Sequence, residues 1–477
     1  MLLALVIAPL LFAAAAFLTP SERRRPWLLP AGGAVHLGLV ALAPTTPTFA
    51  AAEGWLLIDP LGRVVLWVIS ILFFGCAVYA PGYLKLWPDR TNRVFVANLL
   101  LFLSMMTLAV LAQHVGLMWV AIEACTLSSA PLLYFNKNSR SLEATWKFLL
   151  LGSVGIALAL LGSFFLAYSA LSSGLSTSLF FDDLVREGPH LSKPWLHVAF
   201  VVLFIGYGTK MGLAPMHSWK PDAYGEAPGV VGALLAGGVT SCAFLAILRF
   251  FRICIAAGEA EFARELMVAI GLLSMAVAGV FMARQRDFKR MLAYSSIEQM
   301  GILVLGVGLG GAGVFGALLH FINNGLAKGV LFLCAGNLHR AYGSKSLDEV
   351  SGALKRLPAT GVLFLAGFFA VTGSPPFGPF FSELLIVRAA ISSGQFFAAG
   401  AFLLLLVVIF LGMGSTVLSV VRGEPSAKAA ATGDKDTFLT LAPIVAFASL
   451  VLILGLYIPQ PVDALLRDAV AFLGEKP

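Results

Sequence analysis

Apolar residues come in long runs along this chain, separated by short loops that hold most of the charge. A run of about 20 apolar residues crosses the hydrocarbon core of a bilayer as a helix. About fourteen runs meet that criterion. They lie near 1–18, 27–43, 60–84, 94–113, 115–135, 144–171, 196–218, 228–251, 265–283, 291–309, 312–338, 359–395, 397–421 and 438–458. The pattern predicts an all-α, polytopic membrane protein of about 14 transmembrane helices. Two runs are interrupted. The first break is Gly212-Leu213-Ala214-Pro215; the second is Pro375-Pro376-Phe377-Gly378-Pro379, inside a run too long for one straight helix. Non-helical backbone at membrane depth is tolerated only where protein or a hydrated cavity satisfies it, so both breaks predict sites. The first run begins Met1-Leu2-Leu3-Ala4 with no basic residues before it, and predicts a retained helix, not a signal peptide.

The loops alternate in charge. One set carries Arg23, Arg24 and Arg25; Lys85, Arg90 and Arg93; Lys137 and Arg140; Arg284, Arg286, Lys289 and Arg290; Arg340, Lys345, Lys355 and Arg356; and Arg422, Lys428 and Lys435. The other set is acidic or nearly neutral: Glu53 and Asp59; Asp182, Asp183, Arg186, Glu187 and Lys193; Glu259, Glu261, Arg264 and Glu265. The positive-inside rule makes the first set cytoplasmic. An even number of crossings then puts both termini on the outer, periplasmic side of a bacterial inner membrane. The small polar stretch Gly423–Asp436 predicts a flexible cytoplasmic connector. The tail after Pro459, with Val462, Leu465, Leu466 and Val470, is mildly amphipathic and predicted to lie at the outer surface.

Composition narrows the chemistry. A 477-residue chain that is 59% hydrophobic and 12% charged, with mean hydropathy +0.90, belongs in lipid. The net charge of +7 is dispersed over loops, which argues against a nucleic-acid partner. Cys76, Cys125, Cys242, Cys254 and Cys334 form no close C-x-x-C pair and lie in or beside apolar runs. That argues against zinc, iron–sulfur clusters and a disulfide framework. No glycine-rich nucleotide fingerprint occurs in a strand–turn–helix setting. The chain is expected to carry no cofactor or metal of its own.

Ionisable residues inside the runs are the candidate chemistry, because one charge at the bilayer centre costs about 3 kcal/mol or more. Lys210 sits just before the first break; it either snorkels to an interface or takes a buried partner. Glu123, in Trp119–Leu127, is that partner or else a protonated structural glutamate. A Glu–Lys pair that can be drawn apart is a proton switch: close, the amine holds its proton; apart, it can release it. His320, Asn324 and Lys328 stand at i, i+4 and i+8, on one helical stripe. They form either a packing ladder or a hydrated path, since histidine titrates near neutrality and asparagine can hold water. Glu383 follows the second break, as a half-helix cap or a terminal proton site. Glu298 begins a span and is ambiguous. Glu143 and Lys147 fit an interfacial i,i+4 pair. His217 and Asp222 flank the first break and serve either loop structure or proton uptake.

These residues lie in motifs that resemble a family. Gly208-Thr209-Lys210-Met211-Gly212-Leu213-Ala214-Pro215-Met216-His217-Ser218-Trp219-Lys220-Pro221-Asp222-Ala223 is similar to the signature of antiporter-like membrane subunits of respiratory complex I, Mrp antiporters and membrane-bound hydrogenases. Asp287–Gly301, His320–Phe332 and Gly373-Ser374-Pro375-Pro376 through Glu383 resemble further signatures, in order over about 60–420. The resemblance implies two inverted five-helix repeats with two broken helices. The chain then divides into 1–93, 94–264, 265–421 and 422–477. It implies a proton relay of Glu123, Lys210, His320, Lys328 and Glu383. The family's usual eighth-helix lysine falls at Ser241, which cannot carry charge, so one step is missing, water-mediated or relocated. With Asn324, Ile297-Glu298 and Phe380-Phe381-Ser382-Glu383, the chain looks most like the F-type membrane component of hydrogenase-4 and formate hydrogenlyase.

The expected function is proton translocation within a redox-driven complex. Its other membrane-arm subunits and a soluble redox module would be the partners. Iron–sulfur clusters and nickel–iron or flavin would sit in those partners. The alternatives are an Mrp-type cation/proton antiporter subunit with sodium as the ion, a non-pumping assembly subunit, and a membrane partner in inorganic-carbon uptake.

Overall fold

The computed structural model describes residues 1–43, 51–85, 90–176, 178–425 and 435–475. Most of the expected connector, 426–434 with Lys428, lies outside the described residues. The chain opens with α1 (Leu2–Leu18), α2 (Leu28–Ala41), α3 (Pro60–Leu84), α4 (Arg93–Leu111), α5 (Val115–Leu133) and α6 (Ser139–Leu171). A short surface helix, α7 (Phe181–Arg186), precedes α8 (Lys193–Met211) and α9 (Trp219–Glu226). Then α10 (Gly229–Leu234) runs through one π-helical turn, Leu235–Val239, into α11 (Thr240–Ala256). The second half holds α12 (Ala260–Met282), α13 (Phe288–Gly308), α14 (Ala312–Tyr342), α15 (Ala353–Arg356), α16 (Pro358–Val371), α17 (Gly378–Ser392) and α18 (Phe396–Val421). The chain closes with α19 (Phe438–Leu456) and α20 (Gln460–Leu473). Among the described residues there are isolated backbone bridges but no β-strand.

Eleven helical segments among the described residues are long and apolar enough to cross a membrane. The other three apolar runs form helices too short for that criterion: α1, α2, and the 359–395 run, which divides into α16 and α17. Local chemistry sets the helix starts. Asp59 accepts from Gly62 N at 2.5 Å, with Pro60 at the first helical position of α3. Asn138 and Ser141 cap α6 reciprocally, and Asp287 accepts from the backbone of Lys289 and Arg290. The two breaks share a register. Each helix ends at a glycine of positive φ, Gly212 (81°) or Gly373 (62°), and a cis proline follows three residues later, Pro215 or Pro376.

Burial sorts the helices. α13 and α14 are enclosed along almost their whole length, whereas α6, α12, α18 and α19 keep an outward apolar face. Leu150, Phe164, Val280, Leu404 and Leu411 are exposed there, on the face a hydrocarbon solvent would wet. α6 packs on α8 through the small residues Gly152, Gly155, Ala159 and Gly162, which let the backbones approach.

The two loop sets gather at opposite ends. Arg249 with Asp59, Lys193 with Glu259, Arg252 with Asp182, and Arg264 with Glu475 tie one end. Lys345 with Glu226 and Asp287, Arg90 with Asn136, and Lys355 with Glu424 tie the other. The C-terminal tail does more than lie at a surface: α20 buries Leu466, Ala469, Val470 and Leu473 and packs against α3.

Candidate functional site

The first break delivers Lys210 to the end of α8, where Gly212 turns the chain out of the helix by returning its N–H to Gly208 O at 2.7 Å. The Lys210 side chain is 2% exposed. Its Nζ lies 3.0 Å from Glu123 Oε2 on α5 and donates to Thr126 Oγ1, one turn along, at 2.6 Å. The expected partnership therefore forms. A buried ion pair repays its desolvation only when further hydrogen bonds complete it, and here two of the ammonium's three protons have partners. Ser153 on α6 donates to the other carboxylate oxygen at 3.3 Å. Glu143 and Lys147 also pair as expected, at 2.6 Å.

Asp222 does not reach Lys210. It accepts from Lys147 at 2.9 Å and Arg290 at 2.5 Å, in a cavity of about 480 Å³ also lined by Arg140, Glu143 and Glu226. Lys147 and Ser153 share α6, so one helix joins this charged cavity to the Glu123–Lys210 pair. His217 is half-buried and its Nδ1 has no hydrogen-bond partner among the described residues.

The second cluster lies between antiparallel α13 and α14. Lys328 is fully buried and donates to Ser295 Oγ at 2.6 Å. Ser295 in turn donates to Glu298 Oε2 at 3.5 Å, so a hydroxyl links ammonium to carboxylate. Gln299 Nε2 donates to Glu298 Oε1 at 2.9 Å and to Val371 O at 3.0 Å, at the end of α16. That fixes Gln299 Oε1 as the acceptor for His320 Nε2, 2.8 Å away. His320 Nδ1 faces Ser382 Oγ at 2.9 Å, and the same hydroxyl is 2.9 Å from Pro379 O. A neutral imidazole accepts a hydrogen bond from the Ser382 hydroxyl at Nδ1. A charged one donates there while Ser382 turns to Pro379. One hydroxyl rotation thus accommodates either protonation state of His320.

Asn324 lies on the expected stripe between His320 and Lys328, fully enclosed, with an Oδ1 that has no partner among the described residues. Glu383 follows Ser382 on α17; it is 5% exposed and its Oε1 has no partner among the described residues. Ser241 is buried and donates to Gly237 O of its own helix at 2.7 Å, so it supplies a polar group but no charge.

Sequence reasoning missed four elements. Lys220, on α9, is fully buried. Lys289 Nζ, also buried, donates to Ala227 O at 2.5 Å. Asp59 reads as a loop charge in the sequence, yet Arg249 grips it at 2.7 and 3.0 Å and also donates to Val110 and Ala112 carbonyls at the end of α4. His36, on α2, sits between Ser70 and Thr107, 2.9 Å from each. Lys220 and Arg249 carry the same signal as Lys210, a cation within or beside an apolar stretch. The one-turn spacing of Ser295 and Gln299 marks the face opposite Lys328 and His320. No group of three or more potential metal ligands occurs among the described residues.

Known proteins resemble this chain in sequence and in fold. A family model described as NADH:quinone oxidoreductase/Mrp antiporter, TM, matches residues 112–411. A hydrogenase-4 component F homolog of Methylacidiphilum infernorum is 34% identical over 421 residues, covering 85% of this chain and 86% of that protein. A chain of the membrane-bound sulfane sulfur reductase, an archaeal respiratory membrane complex, superimposes with TM-score 0.88 at 23% identity over 99% of this chain and 98% of that one. A chain of respiratory complex I from Thermus thermophilus superimposes with TM-score 0.78 at 25% identity, over 98% and 99%. This chain therefore belongs to the family of antiporter-like membrane subunits found in NADH:quinone oxidoreductases and Mrp antiporters.

Proposed function

We propose that the chain is a proton-translocating subunit of a redox-driven membrane complex, of the hydrogenase-4 or NADH:quinone oxidoreductase type. The observation that carries this reading is the Glu123–Lys210 pair, with its lysine buried at the end of a broken helix. An ionisable group kept at membrane depth is costly and so marks a functional site. Coupling runs through Glu123, Lys210, Lys328, His320 and Glu383, with Glu298 as the counter-charge of Lys328. Pairing alternates along the series, so each group gains a proton when its partner approaches and loses it when the partner withdraws. Asp222 and the cavity at its side serve as the uptake point, reached along α6. The broken helices belong to inverted repeats at 94–264 and 265–421. The host is a bacterial inner membrane, with the basic loops cytoplasmic and both termini outside.

Other membrane-arm subunits and a soluble redox module are the partners, and the redox centres are theirs. Gentle-detergent purification of the tagged chain from its native membrane, with mass spectrometry of what accompanies it, tests this. Recovery of a nickel–iron hydrogenase or an NADH/quinone module with iron–sulfur chains supports the reading. Recovery of only small Mrp-type membrane chains, or of a soluble carbonic-anhydrase-like chain, contradicts it.

A further inference from the structure

Lys220 is a second buried lysine at the first break, and no ion pair accounts for it. It is fully enclosed on α9, and among the described residues no carboxylate lies within ion-pair distance of it. Its Nζ donates to Met211 O, the carbonyl next to Lys210, at 2.6 Å, and to Ser296 Oγ on α13 at 3.1 Å. The ring of Tyr224 lies 5.7 Å from the ammonium. Ser296 adjoins Ser295, the acceptor of Lys328. Lys220 thus touches the end of α8, which carries Lys210, and α13, which carries Ser295 and Glu298.

The break is shaped to admit this side chain. A Cβ at Gly212 would collide with the Lys220 side chain, as one at Gly373 would collide with the Glu383 carboxylate. In both breaks the positive-φ glycine leaves its side-chain space to an ionisable group of the next half-helix. An ammonium held here by a carbonyl, a hydroxyl and a ring face is poorly compensated for its desolvation.

We propose that Lys220 is the proton-carrying link between the Glu123–Lys210 pair and the Lys328–Glu298 cluster. The inference rests on the relay reading above. In one cycle the neutral Lys220 amine takes a proton from the Lys210 side. The resulting ammonium gives one up toward Lys328 through the Ser296 and Ser295 hydroxyls. One proton enters and one leaves; no electron and no other atom moves. The link also supplies a titratable cation in the half where Ser241 offers none.

The test uses inverted membrane vesicles carrying the assembled complex, energised with hydrogen or NADH, whichever the vesicles oxidise. Protons moved per electron are read by a pH-sensitive dye alongside donor oxidation. Lys220→Met should lower that ratio by at least about ten-fold, the scale of a lost proton-transfer group, and Lys220→Arg should not restore it. Ser296→Ala, a small change that leaves the charge in place, should lower it several-fold. A ratio in Lys220→Met within about two-fold of the unmodified complex overturns the link, and so does restoration by Lys220→Arg, which would assign a fixed-charge role. If Lys220→Met does not assemble, Ser296→Ala decides alone, and an unchanged ratio there overturns the proposal. Lys210→Ala is run beside them. Pumping lost in Lys210→Ala but kept in Lys220→Met removes only the link; pumping kept in both removes the relay as well.

Discussion

Glu123 and Lys210 meet at 3.0 Å but are unequally enclosed, with 19% of the glutamate side chain exposed and 2% of the lysine. The carboxylate is the more open member of the pair and the ammonium the more enclosed. Glu123→Gln keeps the shape and removes the charge, leaving the lysine with neutral acceptors alone, the new amide oxygen and the Thr126 hydroxyl. Pumping should fall by about ten-fold or more while the complex still assembles. The measurement is proton uptake per electron in membrane vesicles, and an unchanged ratio would count against the switch.

Gly373→Ala tests the second break. The residue has φ of 62°, and an added Cβ would collide with the Glu383 carboxylate. The left-handed backbone alone costs about 1–2 kcal/mol, and Glu383 must also shift. A lower Tm in detergent should accompany a loss of pumping. Equal Tm and equal pumping would show that the glycine is not needed for room.

The Asp59–Arg249 pair is a structural staple between α3, α4 and α11. Asp59→Asn alone leaves a buried guanidinium short of its counter-charge and should cost about 3–5 kcal/mol. Removing both charges with Asp59→Leu and Arg249→Met should recover most of that loss. Thermal unfolding of the single and double variants gives the coupling directly; simple additivity would mean that the two residues act separately.

Glu259 gives a pH dependence. Its hydrogen bond from Lys193, then that from His197, hold its carboxyl below the ordinary range. A carboxyl depressed in the folded state contributes stability above its unfolded value, near 4.5, and loses it as pH falls through the folded value. The protein should therefore exceed Glu259→Gln in stability by about 0.5 kcal/mol at neutral pH. The gap should shrink as pH falls below the unfolded value and close once it passes the lower folded one. A gap that is constant with pH would assign the contact no charge term.

The helical fold was legible because apolar length alone decides what spans a bilayer, and Pro and Gly mark where a span breaks. Glu123, Lys210, Lys328 and His320 stood out for the same reason: charge is conspicuous in an apolar run. Their hydrogen-bond partners did not. Ser295, Gln299 and Ser382 are ordinary helix residues until α13, α14 and α17 are brought together. Lys220 and Arg249 were hidden differently. Lys220 sits in the polar stretch after the first break, and Arg249, though inside an apolar run, shows no partner in the sequence; only the fold brings Asp59 and the α4 carbonyls to it. That Ser241 carries no charge is plain from its side chain; where a substitute stands is a matter of tertiary packing.

The most direct test is Lys210→Ala in the assembled complex, with redox turnover and proton translocation measured in the same vesicles. If Lys210 is the switch, proton movement collapses while the complex remains intact by co-purification. If proton movement per electron continues at the unmodified value, the Glu123–Lys210 pair is structural and the relay built on it is wrong.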